Sequence, residues 1–420
     1  MNKFKSIQIF EDSILICGQE YDGCKIEESH FQALAKFNEL HQNKYFKIEL
    51  KKVTFQNFVG VIQVCDLIIE ILPKIDKHEL EEEANKQKWQ KALVEMLRLT
   101  RKLNIQQIDE ANITKQTTDL LDIYFEWFLN EVQILIHQGL IKPYNKETSK
   151  IKELRGKLKF ARHIAKNLIK KERLYTTHQV YDKDLLIYQI LAQALEIINS
   201  ITPGKYINSR CKMIQLNFPE ITEIQDITNI FNEIPSNRKT EPYEKALTIA
   251  RSIILNYANI TNQNQKILVL LFDINLLWKE YIYVRLQQTA KKKGIIIKGQ
   301  KARPFLEKKS IHPDIIIEKC GKMAIIDTKW KNIDNVLPSV QDLRQMYAYN
   351  EYWDSQKAML LYPTSGNSTE IKQDDFGKYT NREKNSCYLG KINIFDGDKL
   401  DDKIGDTILK WFYIKNNSTK

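Results

Sequence analysis

The residues best placed to do chemistry lie between Ser310 and Tyr349. Pro313-Asp314 leads into an apolar β-branched run, Ile315-Ile316-Ile317, and a second run, Met323 to Ile326, ends in Asp327-Thr328-Lys329. Gly321 falls between the runs, so together they predict a hairpin. Residues two apart on a strand share a face, which puts Ile325, Asp327 and Lys329 on one side. Hairpin pairing would then bring Asp314 beside Asp327. Two carboxylates in close approach repel, and a hard cation such as Mg²⁺ relieves the repulsion through oxygen ligands. A cation held in this way polarises a phosphoryl oxygen and activates a water. Lys329 is placed to orient that water or to offset the charge that builds on phosphorus. An Asp-x-Lys at a strand end is also a common surface salt bridge. The Pro-Asp on the partner strand and the helix that follows are what separate the two readings.

That helix should start after Leu337-Pro338-Ser339. Gln345 and Tyr349 are four apart and share a face, with Gln341 one turn earlier. Upstream, Phe272 to Tyr281 reads as the opening of another helix, which Lys291-Lys292-Lys293-Gly294 would end with cations near its C-terminus and a glycine after it. Ile295-Ile296-Ile297 reads as a strand, and Lys357 to Tyr362 as another. The predicted order is therefore helix, three strands, helix, strand, with Asp314, Asp327 and Lys329 on the middle hairpin. His312, ahead of Pro313, reads as positional.

Residues 1–78 read as β-rich, with short strands around Ile7–Phe10, Ser13–Ile16, Phe46–Leu50, Asn57–Val64 and Leu67–Lys74 and a helix over Glu28–His41. Such spacing suggests a small barrel or sandwich. Residues 79–258 read as helical, with a long amphipathic helix over Leu120–Gln138 that stops at Gly139. From Lys150 to Arg173 there are ten basic and two acidic residues. If a helix starts near Lys159, then Lys159, Arg162, Lys166, Lys170 and Arg173 form one basic stripe, with Ile164 and Leu168 on the other side. A stripe of this kind could follow a phosphate backbone or be simply a solvated face. The expected class is α+β multidomain: a β-rich domain (1–78), a helical middle region (79–258) and a C-terminal α/β domain (259–420).

Composition sets wide bounds. The chain has 420 residues and is 43% hydrophobic, enough for sizeable cores. A net charge of +11 suits a polyanionic partner, although a chain rich in Lys, Ile and Asn throughout reaches such a charge without any function. The six cysteines, Cys17, Cys24, Cys65, Cys211, Cys320 and Cys387, form no C-x-x-C pair or zinc spacing. They read as reduced thiols of a cytoplasmic protein. The longest apolar run, Ile267 to Phe272, is too short to span a membrane. No G-x-x-x-x-G-K-[ST] loop is present, which argues against a P-loop NTPase.

At Pro313-Asp314, Ile326-Asp327-Thr328-Lys329 and Gln345-Met346-Tyr347-Ala348-Tyr349 the sequence resembles the PD-(D/E)xK nuclease superfamily, and within it the McrC family, the nuclease subunit of McrBC restriction systems. Val59-Gly60-Val61-Ile62, Ile69 to Ile75, Leu154-Arg155-Gly156-Lys157-Leu158 and Phe272 to Tyr281 extend the likeness over nearly the whole chain. The resemblance implies a restriction-endonuclease-like C-terminal domain and Mg²⁺-dependent cleavage of double-stranded DNA in antiviral defence. It implies Asp314 and Asp327 as metal ligands, Lys329 as the third catalytic residue, and Gln345 and Tyr349 in support. It further implies an N-terminal region that meets a separate AAA+ GTPase of the McrB type, and pairing of two nuclease domains to cut both strands. Relatives often carry two acids after the aromatic of the opening helix. Here Lys279-Glu280 stands instead, leaving Glu280 as the one supporting acid. Two other readings fit the same residues: a catalytically silent adaptor that stimulates an AAA+ NTPase, and a stand-alone repair nuclease.

Overall fold

The computed structural model describes the chain outside residues 1–4, 76–82, 101–118, 142–143, 168–172, 182–184, 220, 222–229, 235–236, 261–264, 300–302, 307–308, 332–337, 356, 365–368, 376–385 and 414–420. It is a mixed α+β chain with two compact units: residues 121–257, and residues 2–120 together with 258–420.

In the second unit, strand Phe58–Val64 pairs antiparallel with Leu67–Leu72, which pairs parallel with Lys5–Phe10. The other edge of Phe58–Val64 pairs antiparallel with Gln265–Asp273, from Ile267↔Val64 to Asp273↔Phe58. The apolar run Ile267 to Phe272, which falls within the expected C-terminal domain, is thus part of a strand of the N-terminal sheet, and the expected boundary at 258/259 does not separate two sheets. Gly60 makes the pairing close. Its φ is +137°, and a Cβ there would stand 2.1 Å from the Leu270 carbonyl oxygen. Helix Glu28–Leu40 covers one face, where Phe37, Ile62, Ile69 and Val269 share a core. Among the described residues the five-stranded sheet is open rather than a closed barrel, and its core also takes in Leu15, Phe46, Val53 and Phe55, so the helix and a second, smaller sheet share that core. A separate three-stranded sheet joins Ile14–Ile16, Lys52–Phe55 and Phe46–Glu49.

The sheet that carries the predicted hairpin runs in the order Ile296–Gly299, Ile315–Lys319, Lys322–Thr328, Lys357–Thr364, Ser386–Asn393, Glu370–Asp375. The three central neighbours, Lys322–Thr328, Lys357–Thr364 and Ser386–Asn393, are parallel. Their buried apolar runs are what a sheet covered on both faces requires. Helix Val340–Trp353 makes the crossover between the first two and buries Met346, Tyr349 and Trp353 against Ile316, Ile325 and Leu360. Its N-cap is Ser339, whose Oγ accepts from the Asp342 amide, and Ser is among the best residues for that position. Helix Ile274–Lys291 follows directly from strand Gln265–Asp273, with the Asp273 carboxylate capping Asn275 and Leu276.

Residues 121–257 are not wholly helical as expected. Besides helices such as Leu186–Ile201 and Glu244–Leu255, they hold a sheet in the order Lys157–Leu158, Leu174–Tyr181, Tyr144–Ile151. Threonines contribute to it: Thr176 is buried, and the Thr148 and Thr177 hydroxyls hydrogen-bond across the pair at 2.8 Å. This sheet also breaks the expected basic stripe. Helix Phe160–Asn167 does start beside Lys159, and Arg162 and Lys166 lie on it. However, Arg173 sits at the head of strand Leu174–Tyr181, which pairs along its length with Tyr144–Ile151, so one helix cannot carry Lys159 through Arg173. Lys170 lies outside the described residues. Lys159 and Arg173 are exposed, and so is Ile164, at 63%.

Candidate functional site

The hairpin closes through Cys320 and Gly321, both at positive φ, 48° and 75°. Such a pair is what a two-residue turn needs to match the twist of its strands. It fixes the register at Lys319↔Lys322 and carries it to Ile315↔Ile326. Asp314 immediately precedes that last pair on one strand and Asp327 immediately follows it on the other. The sequence places two carboxylates together because the turn is short and the strands have no bulge.

Each carboxylate has its own setting. Asp314 Oδ2 accepts from the Thr328 amide and the Thr328 hydroxyl, both at 2.9 Å. Asp314 Oδ1 pairs with the Lys279 ammonium from helix Ile274–Lys291. Asp327 is only 2% exposed. Gln345 Nε2 donates to its Oδ1 at 3.4 Å. Lys329 Nζ lies 2.9 Å from its Oδ2, yet that oxygen accepts no well-aligned hydrogen bond. Burial, and next the charge of Asp314, push the Asp327 carboxyl up to about 6, against the pull of Lys329. Lys329 also reaches Asp342 Oδ1 at 3.4 Å. Burial favours its neutral form, but Asp327 and Asp342 outweigh it and hold Lys329 above the usual lysine range. Asp342 stays below the usual carboxylate range although burial opposes this, because Ser339 and Lys329 bind its charged form.

The crossover helix supports the site from one side. Gln345 Nε2 donates to Tyr349 Oη at 2.6 Å, and Tyr349 Oη donates to the His312 carbonyl at 2.8 Å. Burial pushes the Tyr349 phenol up to about 12, so it stays a donor. The pair ties Asp327 to the backbone just before Pro313-Asp314. Aromatic packing supports the site from another side. Trp330, next to Lys329, meets Trp278, next to Lys279, edge to face with centroids 5.6 Å apart. Two lysines on separate elements are therefore fixed by one contact between their neighbours. Trp330 Nε1 also donates to the buried carboxyl of Glu11 at 2.6 Å, and the Lys74 amide donates to the same oxygen at 2.8 Å.

The structure thus brings Asp314, Asp327, Lys329, Gln345 and Tyr349 together. Glu280 is half-buried, and among the described residues no group of three His, Cys, Asp or Glu side chains converges as a metal cage. Sequence reasoning missed Lys279, Asp342, Thr328 and Glu11. Asp342 carried a signal: it lies three residues before Gln345 on the same helix, one turn from the predicted face.

The fold and site together define a class: an α+β chain with a mixed sheet whose adjoining strand ends carry two carboxylates and a lysine. The sequence pattern of a family described as "McrBC 5-methylcytosine restriction system component" matches residues 53–363. The chain belongs to that family. Its fold is similar to a chain in a refined half-complex from the tetradecameric assembly of Thermococcus gammatolerans McrB AAA+ hexamers with bound McrC. There the TM-score is 0.74 at 16% identity, covering 97% of this chain and 100% of that one. A second likeness is to the cryo-EM structure of the Thermococcus gammatolerans McrBC complex, with TM-score 0.55 and 18% identity over 68% of this chain and 88% of that one. At these identities the likeness speaks for the fold. No curated protein matches the sequence. Among the described residues no helix is long and apolar enough to cross a membrane.

Proposed function

We propose that this chain is the McrC-type nuclease subunit of its restriction system, a PD-(D/E)xK enzyme that hydrolyses phosphodiester bonds of double-stranded DNA with Mg²⁺. The observation that carries the reading is the set at the paired strand ends: Asp314 and Asp327 flank the Ile315↔Ile326 pair, and Lys329 lies 2.9 Å from Asp327. The residues fit a divalent cation. Asp327 is a buried carboxylate whose Oδ2 meets the Lys329 ammonium at 2.9 Å and whose Oδ1 takes one long contact from Gln345, so its oxygens keep lone pairs that a hard cation can use. Asp314 and Asp327 would hold the ion, which when bound supplies Lewis-acid polarisation of a phosphoryl oxygen and a more acidic water.

This chain's own residues do the rest. Lys329 is held charged by Asp327 and Asp342, and presents its ammonium to the attacking water or to the phosphorane oxygens. Gln345 and Tyr349 keep Asp327 and the Pro313-Asp314 backbone in register. The leaving 3′ oxygen takes its proton from solvent, and no covalent enzyme intermediate is needed. Lys159, Arg162, Lys166, Lys170 and Arg173 are offered as backbone contacts on the strength of the clustered basic charge in the sequence. The partner would be an AAA+ GTPase of the McrB type, in keeping with the assemblies named for the similar folds. Two copies of the nuclease unit would cut the two strands, in the cytoplasm.

The test is DNA cleavage by the purified protein with Mg²⁺, alone and with the AAA+ protein plus GTP or ATP. Lys329→Ala and Asp327→Ala are run beside the wild type. Cleavage that needs the partner and is lost in both variants supports the reading. Cleavage without a partner would point to a stand-alone nuclease. No cleavage in any mixture, with NTPase stimulation intact in the variants, would refute it in favour of an adaptor.

A further inference from the structure

Asp314 is already neutralised by the protein itself. Its Oδ2 is taken by the Thr328 amide and hydroxyl, and its Oδ1 by the Lys279 ammonium. Both partners are largely covered, with side chains 17% and 15% exposed. Lys279 is not a stray surface lysine. It sits on the second turn of a helix whose start is fixed by the Asp273 cap, and its neighbour Trp278 is fully buried against Trp330. The backbone position of Lys279 is therefore set by packing, and its ammonium is held by Asp314.

The charge count around the strand ends is informative. Asp314, Asp327 and Asp342 face Lys279 and Lys329, leaving one negative charge for the set. Without Lys279 the two facing carboxylates would share Lys329 alone. A divalent ion approaching Asp314 meets an ammonium on the oxygen it needs. Two cations in contact with one carboxylate repel each other, and the repulsion is strong where little water intervenes.

We propose that Lys279 is a resident counter-cation: it occupies Asp314 in the metal-free protein, competes with the divalent ion for that carboxylate, and so sets how much metal the site requires. The inference rests on the metal reading given above. It makes Lys279 a determinant of metal affinity, acting through Asp314 rather than on the substrate. With Lys279 seated the site is folded and nearly neutral. With Lys279 turned aside, Asp314 becomes a ligand. Anything that draws Lys279 away, such as a phosphate of bound DNA, would favour metal loading.

The experiment is Mn²⁺ binding to the full-length protein without DNA or partner, by isothermal titration calorimetry and by the paramagnetic resonance of free Mn²⁺. The proteins are wild type, Lys279→Met, Lys279→Gln, Lys279→Arg and Asp327→Asn. The expected result is binding at least tenfold tighter in both uncharged variants, near wild type in Lys279→Arg, and lost in Asp327→Asn. Thermal melting provides a second readout. The uncharged variants melt below wild type without metal and gain more from Mn²⁺ than wild type does. Equal or weaker Mn²⁺ binding in both uncharged variants, with Asp327→Asn still abolishing it, overturns the role of Lys279 and leaves the metal site standing. Binding that survives in Asp327→Asn, or that no protein shows, overturns the metal reading itself.

Discussion

Replacing Glu11 with Gln is expected to remove much of the protein's loss of stability as pH rises. Glu11 is 5% exposed, and its Oε1 accepts from the Lys74 amide and from Trp330. Burial pushes its carboxyl up from 4.5 to about 8, against the pull of those two donors. The folded state therefore holds the Glu11 proton more tightly than the unfolded chain does. A raised folded value gives a contribution that is complete below pH 4.5 and is lost as pH rises through about 8. Within that window each pH unit costs about 1.4 kcal/mol, so the loss reaches about 4 kcal/mol by pH 7.5, as an order of magnitude. Glutamine keeps an Oε1 acceptor for both donors and has no proton to lose. The assay is thermal melting from pH 5 to 8.5 for both proteins, read as the difference between them. Glu70, also buried and pushed up to about 7, tilts both curves alike and drops out of that difference. Glu11→Gln is expected near wild type at pH 5 and clearly above it at pH 8. Parallel curves across the range would refute the reasoning. Because Trp330 follows Lys329, cleavage by Glu11→Gln should also tolerate alkaline pH better.

Other substitutions test the frame around the site. Gly60→Ala places a Cβ against the Leu270 carbonyl at a φ that alanine rarely adopts. It is expected to destabilise by about 3 kcal/mol or more, through strain and disrupted pairing, seen as a lower melting temperature; an unchanged value would contradict the pairing of Phe58–Val64 with Gln265–Asp273. Tyr349→Phe removes the donor to the His312 carbonyl and the acceptor for Gln345. A stability loss of about 1–2 kcal/mol follows from the unpaired groups, and a fall in cleavage of about tenfold for each 1.4 kcal/mol of lost positioning. Equal cleavage by Tyr349→Phe and wild type would show that the Gln345–Tyr349 pair does not hold Asp327.

The hairpin was legible because two signals agreed. β-branched runs named the strands and Gly321 named the turn, and the even spacing of Asp327 and Lys329 gave their common side. The capped helix with Gln345 and Tyr349 was legible for the same reason: its period and its Ser339 start are local facts. Lys279 was not legible. It lies 35 residues from Asp314, and which residue of a helix reaches a strand depends on how that helix packs. The Trp278–Trp330 contact decides that, and no local pattern records it. Gln265–Asp273 was readable as an apolar run, but nothing in the run says that its partner is Phe58–Val64. The sheet within residues 121–257 was hidden by its composition. Thr, Lys and Tyr alternate there without an apolar face, and lysines at helical spacing drew the reading toward a longer helix than Phe160–Asn167.

The pairing of Phe58–Val64 with Gln265–Asp273 has a consequence for synthesis. The two strands are separated by about 200 residues of chain, and long-range pairing of this kind is slow to form. A ribosome adds roughly 5–20 residues per second, so the open edge of Phe58–Val64 waits about 10–40 s for its partner to be made. During that interval it offers unpaired amides and carbonyls flanked by Val59, Val61 and Ile62, the kind of edge that recruits strands from other chains. A fragment ending before Gln265 would remain permanently in that exposed state.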